Sequence, residues 1–167
     1  MEAGGNFIRF WLHCGADITP FRQGDSVLRM DERGQMLADV KAYLDKAEAR
    51  GIKVLVTLWS FDIADRGSNL DYVTNTALMN SYIANALEPL VAGLRGHGGL
   101  FGYDIVNEPE GMSREFGWTN NRVQMSQIQT WVNRIAGSIR RTDPSTEVTV
   151  GSWSFRASTD TITILTK

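Results

Sequence analysis

The chain has 167 residues, which is enough for one domain with its own hydrophobic core. Hydrophobic residues make up 43% of it and charged residues 22%, the balance of an ordinary globular protein. The formal net charge is −2, so the chain has no strong positive field that would attract nucleic acid or an anionic membrane surface.

The cysteine and histidine content and the apolar runs exclude further classes of protein. Cys14 is the only cysteine, which excludes an internal disulfide and a cysteine-based metal site. The two histidines, His13 and His97, are far apart and show no metal-ligand spacing, so we expect neither a metal nor another cofactor. The apolar runs are too short to span a bilayer, and the N-terminal residues show no signal-peptide pattern.

The first predicted strand, Phe7 to His13, alternates between two faces. One face is wholly apolar, and the other carries Arg9, Trp11 and His13. This combination suits a sheet that packs against helices on one side and lines a site with polar side chains on the other. A loop is predicted from Gly15 to Met30, because proline, glycine and polar residues recur there.

A helix and a second strand follow this loop. Asp31 is predicted to be the N-cap of the helix, and Gly51 is predicted to end it. The apolar positions that recur at helical spacing are Met36, Leu37, Val40, Leu44 and Ala47. Ile52 to Leu58 is a near-continuous apolar run, typical of a parallel strand that is buried on both faces, and it leads into Trp59-Ser60-Phe61-Asp62.

The next helical pattern runs from about Thr76 to Arg95, and Pro89 within it predicts a kink or a break. An apolar run that begins at Leu100 predicts the third strand. Pro109 has no N–H to donate to a neighbouring strand, so this strand is expected to stop at Glu108.

The remaining elements are a helix from about Asn121 to Arg141 and a fourth strand from Glu147 to Phe155, while residues 159–167 fit either a strand or a helix. Alternating strands and helices predict an α/β fold with a parallel sheet. The unusual residues cluster at the C-terminal ends of the strands, as in a (β/α)₈ barrel. An open doubly wound sheet gives a similar pattern, but no glycine-rich phosphate loop follows any strand.

Glu108 is placed where a buried strand opens into a loop. The apolar residues before it reduce its access to water, which favours the protonated form of a carboxyl, and a general acid must carry its proton. Asn107 beside it offers two donors and an acceptor to a substrate hydroxyl. The alternative interpretation is a strand that ends at a proline, with a glutamate that merely faces solvent.

Three segments resemble glycoside hydrolase family 5, especially its β-mannanase branch. They are Phe-Ile-Arg-Phe-Trp-Leu-His (7–13), Leu-Trp-Ser-Phe-Asp (58–62) and Asp-Ile-Val-Asn-Glu-Pro-Glu (104–110). Their order and spacing are similar to the second, third and fourth strands of that family's barrel, and residues 148–154 resemble the fifth. The resemblance implies that residues 1–167 form a single partial catalytic domain, a half-barrel with about four parallel strands of a (β/α)₈ TIM barrel and the intervening helices.

The resemblance also implies roles for individual residues. Glu108 inherits the role of the acid/base, and Asn107 that of the residue that holds the 2-hydroxyl of the sugar. Arg9 is similar to the arginine that hydrogen-bonds the nucleophile.

Three further side chains complete the predicted substrate-binding set. His13 and Trp59 are expected by the same resemblance to line the sugar subsite. Trp153, at the end of the segment that resembles the fifth strand, is expected to contact substrate as well.

The family's nucleophile is a second glutamate at the end of the seventh strand, and the resemblance covers no such strand. A retaining mechanism needs two carboxyls about 5–5.5 Å apart. Asp17, Asp62 and Glu110 also lie near predicted strand ends, although loop carboxylates usually cap helices or face water. A second copy of the chain could complete the site instead, because the edges of a half-barrel favour a homodimer.

The sequence therefore predicts retaining hydrolysis of a β-1,4-linked polysaccharide, with mannan as the first choice and a cellulase-type β-glucan as the second. A non-catalytic carbohydrate-binding or structural half-barrel is an alternative, as is a different small α/β enzyme with Glu108 as a base. The expected partners are a polysaccharide or oligosaccharide, with no nucleic acid and no membrane. The family resemblance implies a secreted protein.

Overall fold

The computed structural model describes residues 4–153, which contain six strands. The strands are β1 (Phe7–Cys14), β2 (Phe21–Gln23), β3 (Ser26–Arg29), β4 (Lys53–Ser60), β5 (Leu100–Asn107) and β6 (Glu147–Gly151). Four of them form a parallel sheet in the order β1-β4-β5-β6, and β2 and β3 form a separate antiparallel hairpin. The predicted α/β fold with four parallel strands is confirmed.

Helices connect the parallel strands. They are α1 (Met36–Glu48), α2 (Asp71–Thr74), α3 (Thr76–Tyr82), α4 (Glu88–Leu94) and α5 (Met125–Thr142). The break predicted at Pro89 is confirmed, because a π-helical turn, Ile83–Leu87, separates α3 from α4. Proline has no N–H to bond the carbonyl four residues earlier, so the regular helical hydrogen-bond pattern cannot continue through it.

The hydrophobic core lies between the parallel sheet and the helices. Strand β4 is buried on both faces, as predicted, because Val54, Val56 and Leu58 on one face and Thr57 and Trp59 on the other are all fully buried. The buried stripe of α5 recurs at helical spacing and consists of Ile128, Trp131, Val132, Ile135 and Ile139. The core therefore fixes the sheet, and the site is left to its C-terminal edge, where the strands open into loops.

The prediction of a loop from Gly15 to Met30 requires correction, because this segment contains the β2–β3 hairpin. Gly24 has a φ of +58° at the hairpin turn. The hairpin is held by long-range contacts, since the Val27 N–H donates to Ser81 Oγ (2.8 Å) and Asn85 Nδ2 donates to the Val27 carbonyl (2.8 Å). Short-range patterns do not report contacts of this kind.

Two helix starts also differ from the prediction. Helix α1 begins at Met36 rather than directly after Asp31, although the Asp31 carboxylate still accepts the N–H of Met36 (2.8 Å). Helix α5 begins at Met125, four residues later than predicted, at a capping box formed by Gln124 and Gln127. The fourth strand, predicted to reach Phe155, ends at Gly151, and Ser152 and Trp153 lie outside it. Phe155 itself and the undecided segment 159–167 lie outside the described residues.

β1 and β6 are the edge strands of the described sheet. Pairing of two copies through these edges stays a prediction. In the part of the chain that the structure describes, no helix combines the length and apolar character needed to cross a membrane.

Replacement of Leu44 by alanine tests the packing of α1 on the sheet. Leu44 is fully buried, so we expect L44A to lower the free energy of unfolding by about 2–5 kcal/mol, the usual cost of such a cavity. Urea denaturation followed by circular dichroism measures this cost. K41A, at an exposed position on the same helix, is the control and should change stability by less than about 0.5 kcal/mol. Equal effects of the two substitutions would contradict the assigned core.

Candidate active site

Glu108 follows the last residue of β5 and has an unusual backbone conformation. Its φ is +48° and its ψ is +51°, the left-handed region that non-glycine residues seldom adopt. Pro109 begins the 3₁₀ turn that follows, and Glu108 is half-buried at the C-terminal edge of the sheet. A strained backbone persists only where the surrounding structure holds it in place, and such residues cluster at functional sites.

An ion pair between Arg9 and Asp104 lies directly beneath this edge. Arg9 on β1 donates to Asp104 on β5 through Nη2, and its Nε donates to Thr57 Oγ1 on β4 (2.8 Å). Thr57 in turn donates to Asp104 Oδ2 (2.9 Å), and the Gly151 N–H on β6 donates to Asp104 Oδ1 (2.9 Å). A single carboxylate therefore connects all four parallel strands.

The same arginine positions Asn107. Arg9 Nη2 donates to Asn107 Oδ1 (3.0 Å), which leaves the amide NH₂ group of Asn107 available to an incoming ligand. Burial raises the pKa of Asp104, and the Arg9 charge and the hydrogen bonds from Thr57, Arg9 and Gly151 oppose that shift. The structure thus joins Arg9 to Asn107, the residue before Glu108, while the predicted bond of Arg9 to a nucleophile stays a prediction.

Gly151 is required at this point by close approach. A Cβ there would lie 2.8 Å from Arg9 Nη2 and 3.3 Å from Asp104 Oδ2. The Glu108 N–H also donates to the carbonyl of Gly151. The end of β6 therefore fixes both the ion pair and the backbone of Glu108.

Glu110 is a buried carboxyl two residues after Glu108. It has no exposed surface, and neither carboxylate oxygen has a hydrogen-bond partner of good geometry among the described residues. Burial raises its pKa; its own backbone N–H, the Ser152 side chain and the Trp153 backbone oppose this shift, and the Glu108 charge adds to it. Its burial keeps it out of direct contact with a ligand at the surface.

Aromatic rings form a rim at the C-terminal edge of the sheet, the edge that also carries Glu108. Phe61, Trp118 and Trp153 follow β4, β5 and β6 in turn, and their ring centroids are 5.3 Å apart (Phe61 to Trp118) and 5.9 Å apart (Trp118 to Trp153). Trp153 is 60% exposed, and its contact with substrate stays a prediction. Trp11 is also exposed, with the Arg9 guanidinium 4.8 Å from its ring centroid.

Two predicted sugar-binding residues require correction. Trp59 is fully buried and packs against Tyr82 and Trp131, so it has no surface with which to contact a sugar. His13 is only 5% exposed, its ring packs on Trp59 (4.8 Å), and burial lowers its pKa to about 3, so the ring is neutral. The register of β1 against β4 shifts before Cys14, and the alternation that placed His13 beside Arg9 ends there.

A cavity of about 650 Å³ opens between the ends of β1 and β4, and His13, Asp17, Asp62 and Arg66 are among its lining residues. Both acidic side chains have partners, since Asp17 pairs with Arg66 (3.2 Å) and Asp62 accepts the Ser60 hydroxyl (2.6 Å). The ion pair and the hydrogen bond therefore explain the positions of both carboxylates.

One group of residues in the described ranges has the composition of a metal site. The potential ligand atoms of Asp45, Glu48 and His97 lie within 4.8 Å of one another, at the end of the sheet opposite Glu108. His97 Nδ1 accepts the Gly99 N–H (3.0 Å), which leaves Nε2 to donate to Asp45 (3.1 Å). Both ring nitrogens are thereby used in hydrogen bonds, which explains the cluster without an ion.

Residues 1–164 match a family model described as Cellulase (glycosyl hydrolase family 5). The chain belongs to glycoside hydrolase family 5. Two curated relatives are both mannan endo-1,4-beta-mannosidases. The protein from Mytilus edulis is 32% identical over 94% of this chain and 48% of its own length, and that from Cryptopygus antarcticus is 28% identical over 95% and 46%.

Solved structures of the family share the fold. The endo-1,4-beta-mannanase from Eisenia fetida aligns with a TM-score of 0.88 and 32% identity over 94% of this chain and 48% of that one. The beta-1,4-mannanase from Aplysia kurodai aligns with a TM-score of 0.86 and 33% identity over 95% and 51%. The chain spans about half the length of the relatives it matches, so its four parallel strands correspond to part of their (β/α)₈ barrel.

Sequence reasoning missed Asp104, Thr57 and Trp118. A signal for Asp104 does exist, because a charged residue within the apolar run Tyr103 to Val106 is costly unless it is paired. Its partners on β1 and β4 follow only from the register of the sheet.

Substitution of Arg9 by methionine tests the ion pair in this family 5 site. We expect R9M to lower the free energy of unfolding by about 2–3 kcal/mol, below the 3–5 kcal/mol for a fully buried pair, because Arg9 is about one-third exposed. Adding D104N should recover much of the loss, because no uncompensated buried charge then remains. Urea denaturation of the four chains of this double-mutant cycle gives the coupling, and simple additivity of the two single effects would contradict it.

Glu110 should make stability depend on pH. Burial raises its folded-state pKa above the usual value of 4.5, so stabilisation is complete below that value and is lost as the pH rises through the folded-state pKa. We expect E110Q, which cannot ionise, to match the wild type at pH 4 and to exceed its stability at alkaline pH. Chemical denaturation across this range, with E32Q at an exposed position as the control, measures the difference. A wild type that stays as stable as E110Q at pH 9 would rule out this role for Glu110.

Proposed function

We propose that this chain supplies the acid/base half of a retaining β-1,4-mannan hydrolase. The observation that carries the proposal is Glu108 itself: a half-buried carboxyl in a left-handed backbone at the end of a buried parallel strand, beside an asparagine that Arg9 holds. Membership of family 5 supports a glycosidase role for this edge.

The chemistry assigns a task to each residue. Glu108 protonates the glycosidic oxygen as the bond breaks and then, as a carboxylate, removes a proton from the water that completes hydrolysis. Asn107 donates its amide N–H groups to a sugar hydroxyl next to the reacting carbon, and Arg9 fixes its orientation. Trp153 offers an exposed ring to the C–H face of a sugar unit.

The mechanism also needs an attacking carboxylate about 5–5.5 Å from Glu108. Asp17 is paired with Arg66, Asp62 accepts a hydroxyl from Ser60, and Glu110 is fully buried. We infer that the attacking carboxylate is none of these three. Hydrolysis therefore needs a carboxylate other than these three, whereas sugar binding is expected of this chain.

Mannan is the first choice of substrate because the curated relatives and the four structures at 29–33% identity are mannanases. The family model is described as Cellulase, which keeps a β-glucan as the second choice. Titration with mannohexaose and with cellohexaose compares the two, and tighter binding of cellohexaose would favour the β-glucan. A polysaccharide is too large to enter a cell and is hydrolysed outside it, which agrees with the expected secretion.

Substitution of Glu108 by glutamine tests the acid/base role. In the form of the protein that hydrolyses mannan, we expect E108Q to lower kcat/KM on mannan by about 10²–10⁴-fold, the usual contribution of a positioned acid/base. The first step on an activated aryl β-mannoside should survive, because its leaving group needs no proton, and azide should accelerate release of the product.

The control is E48Q, a carboxyl substitution at the opposite end of the sheet. If E108Q hydrolysed mannan as fast as E48Q, Glu108 would not be the acid/base. If the wild type bound mannohexaose but no form of the protein hydrolysed mannan, the carbohydrate-binding interpretation would replace the proposal of a hydrolase.

A further inference from the structure

Polar side chains connect the loops at the C-terminal edge of the sheet to one another. Asn69, which follows β4, donates from Nδ2 to the carbonyl of Gly15, which follows β1 (2.8 Å). Asn121, which follows β5, donates from Nδ2 to the carbonyl of Ala64, which follows β4 (2.8 Å). The remaining pair of neighbouring loops, those after β5 and β6, lies beside Glu108 and meets in what we term the β5–β6 loop contact (residues 108–112 and 151–153).

Glu110 is the buried carboxyl of the β5–β6 loop contact. It has no exposed surface, although it lies in the short 3₁₀ turn that directly follows Glu108. The groups from the end of β6 that act on its carboxyl are the Ser152 side chain and the Trp153 backbone. A buried carboxyl is costly unless polar groups of the protein compensate it, so its position depends on these neighbours in the other loop.

The protonated form of Glu110 suits this environment. A neutral carboxyl offers one O–H donor and an acceptor oxygen, which match a hydroxyl and a backbone N–H respectively. Burial raises the pKa of Glu110, so this form persists to a higher pH than in an exposed glutamate. Neither oxygen has a partner of ideal hydrogen-bond geometry among the described residues, so Glu110 acts through the polar matching of the contact and not through one strong bond.

The same loop contact fixes the backbone of Glu108. The Glu108 N–H donates to the carbonyl of Gly151, the residue directly before Ser152. The Gly111 N–H, directly after Glu110, donates to the Glu108 carbonyl (2.9 Å). Separation of the two loops would break the first of these bonds and leave the left-handed conformation of Glu108 without its support from β6.

We propose that Glu110 is a positioning residue for the acid/base, because its buried carboxyl keeps the end of β6 closed against the turn that carries Glu108. It acts through Glu108 and not on the substrate, since it has no exposed surface. A displacement of about 1 Å at a catalytic group can cost about 10²-fold in rate, so a small opening of this contact matters. The proposal rests on the proposed function and extends it to a residue that transfers no proton to the sugar.

Hydrogen exchange followed by NMR tests the β5–β6 loop contact in the chain itself, without any activity. E110L keeps a side chain of similar size but removes both polar atoms, so we expect it to speed exchange of the Glu108 N–H about tenfold at pH 5. E110Q, which keeps a donor and an acceptor, should exchange like the wild type. The amides of Val56 and Leu58 in the core of β4 report on global unfolding, so an effect confined to Glu108 marks the loop contact.

S152A tests the same contact from the opposite loop. Ser152 is exposed, so the substitution removes a hydroxyl without disturbing the core, and we expect about threefold faster exchange of the Glu108 N–H. E115Q is the matched control, because the Glu115 carboxylate lies on the same loop but accepts the Met125 N–H of α5 (3.1 and 3.2 Å). It should leave exchange at Glu108 unchanged. A local effect in E110L or S152A supports the contact, and the lack of a local effect in both overturns it.

Kinetic measurements test the consequence for catalysis. In the form of the protein that hydrolyses mannan, we expect E110L to lower kcat about tenfold and to change KM by less than about twofold, because Glu108 is misplaced while the sugar-binding groups are not. E110Q should restore kcat to nearly the wild-type value, and E115Q should keep it. A merely structural role would reduce the amount of folded enzyme but not the kcat of the folded fraction. Wild-type kcat in folded E110L would therefore overturn the positioning role.

The outcomes also separate this proposal from the proposed function. If E108Q lost hydrolysis while E110L kept the wild-type kcat, the acid/base role would stand and the positioning role of Glu110 would fail. If E110L loosened the Glu108 backbone while E108Q kept full hydrolysis, the loop contact would stand and the acid/base role would fail.

Discussion

The buried carboxylate of Asp104 is the constraint on which the rest of this half-barrel depends. It is 1% exposed in an otherwise apolar strand, so it must be satisfied by partners inside the protein. Those partners come from every other strand of the parallel sheet: the Arg9 guanidinium, the Thr57 hydroxyl and the Gly151 N–H. A shift of any one of these strands by one residue would take one partner away from the buried charge, which makes the ion pair and its hydrogen bonds a determinant of register.

This constraint extends from the core to the chemistry. The Arg9 guanidinium that compensates Asp104 also holds the Asn107 side chain. Gly151, at the end of β6, donates its N–H to Asp104 and accepts the N–H of Glu108 through its carbonyl. The left-handed backbone of Glu108 is therefore supported by bonds on two sides. The backbone that carries the Glu108 carboxyl is thus fixed in advance, as the proposed acid/base role requires.

The aromatic residues near the C-terminal edge of the sheet fall into two groups with different physical roles. Trp59, Tyr82 and Trp131 pack together in the core and stabilise the attachment of the helices. Trp118 and Trp153 lie on the loops that follow β5 and β6 and keep much of their surface in solvent. Five tryptophans in the sequence give no hint of this division, because the same residue type suits a core and a sugar-binding face equally well.

The sequence by itself determined the α/β class, the parallel strands, the break at Pro89 and the place of Glu108 and Asn107 at a strand end, because these depend on local periodicity and on the missing N–H of proline. Tertiary structure alone decided that Trp59 and His13 belong to the core, that residues 21–29 form a hairpin, and that Asp104 joins four strands. The reason is physical: a shift in register turns a side chain to a new environment without changing the local pattern. The partners of a buried charge are likewise set by strands that lie far apart in the chain.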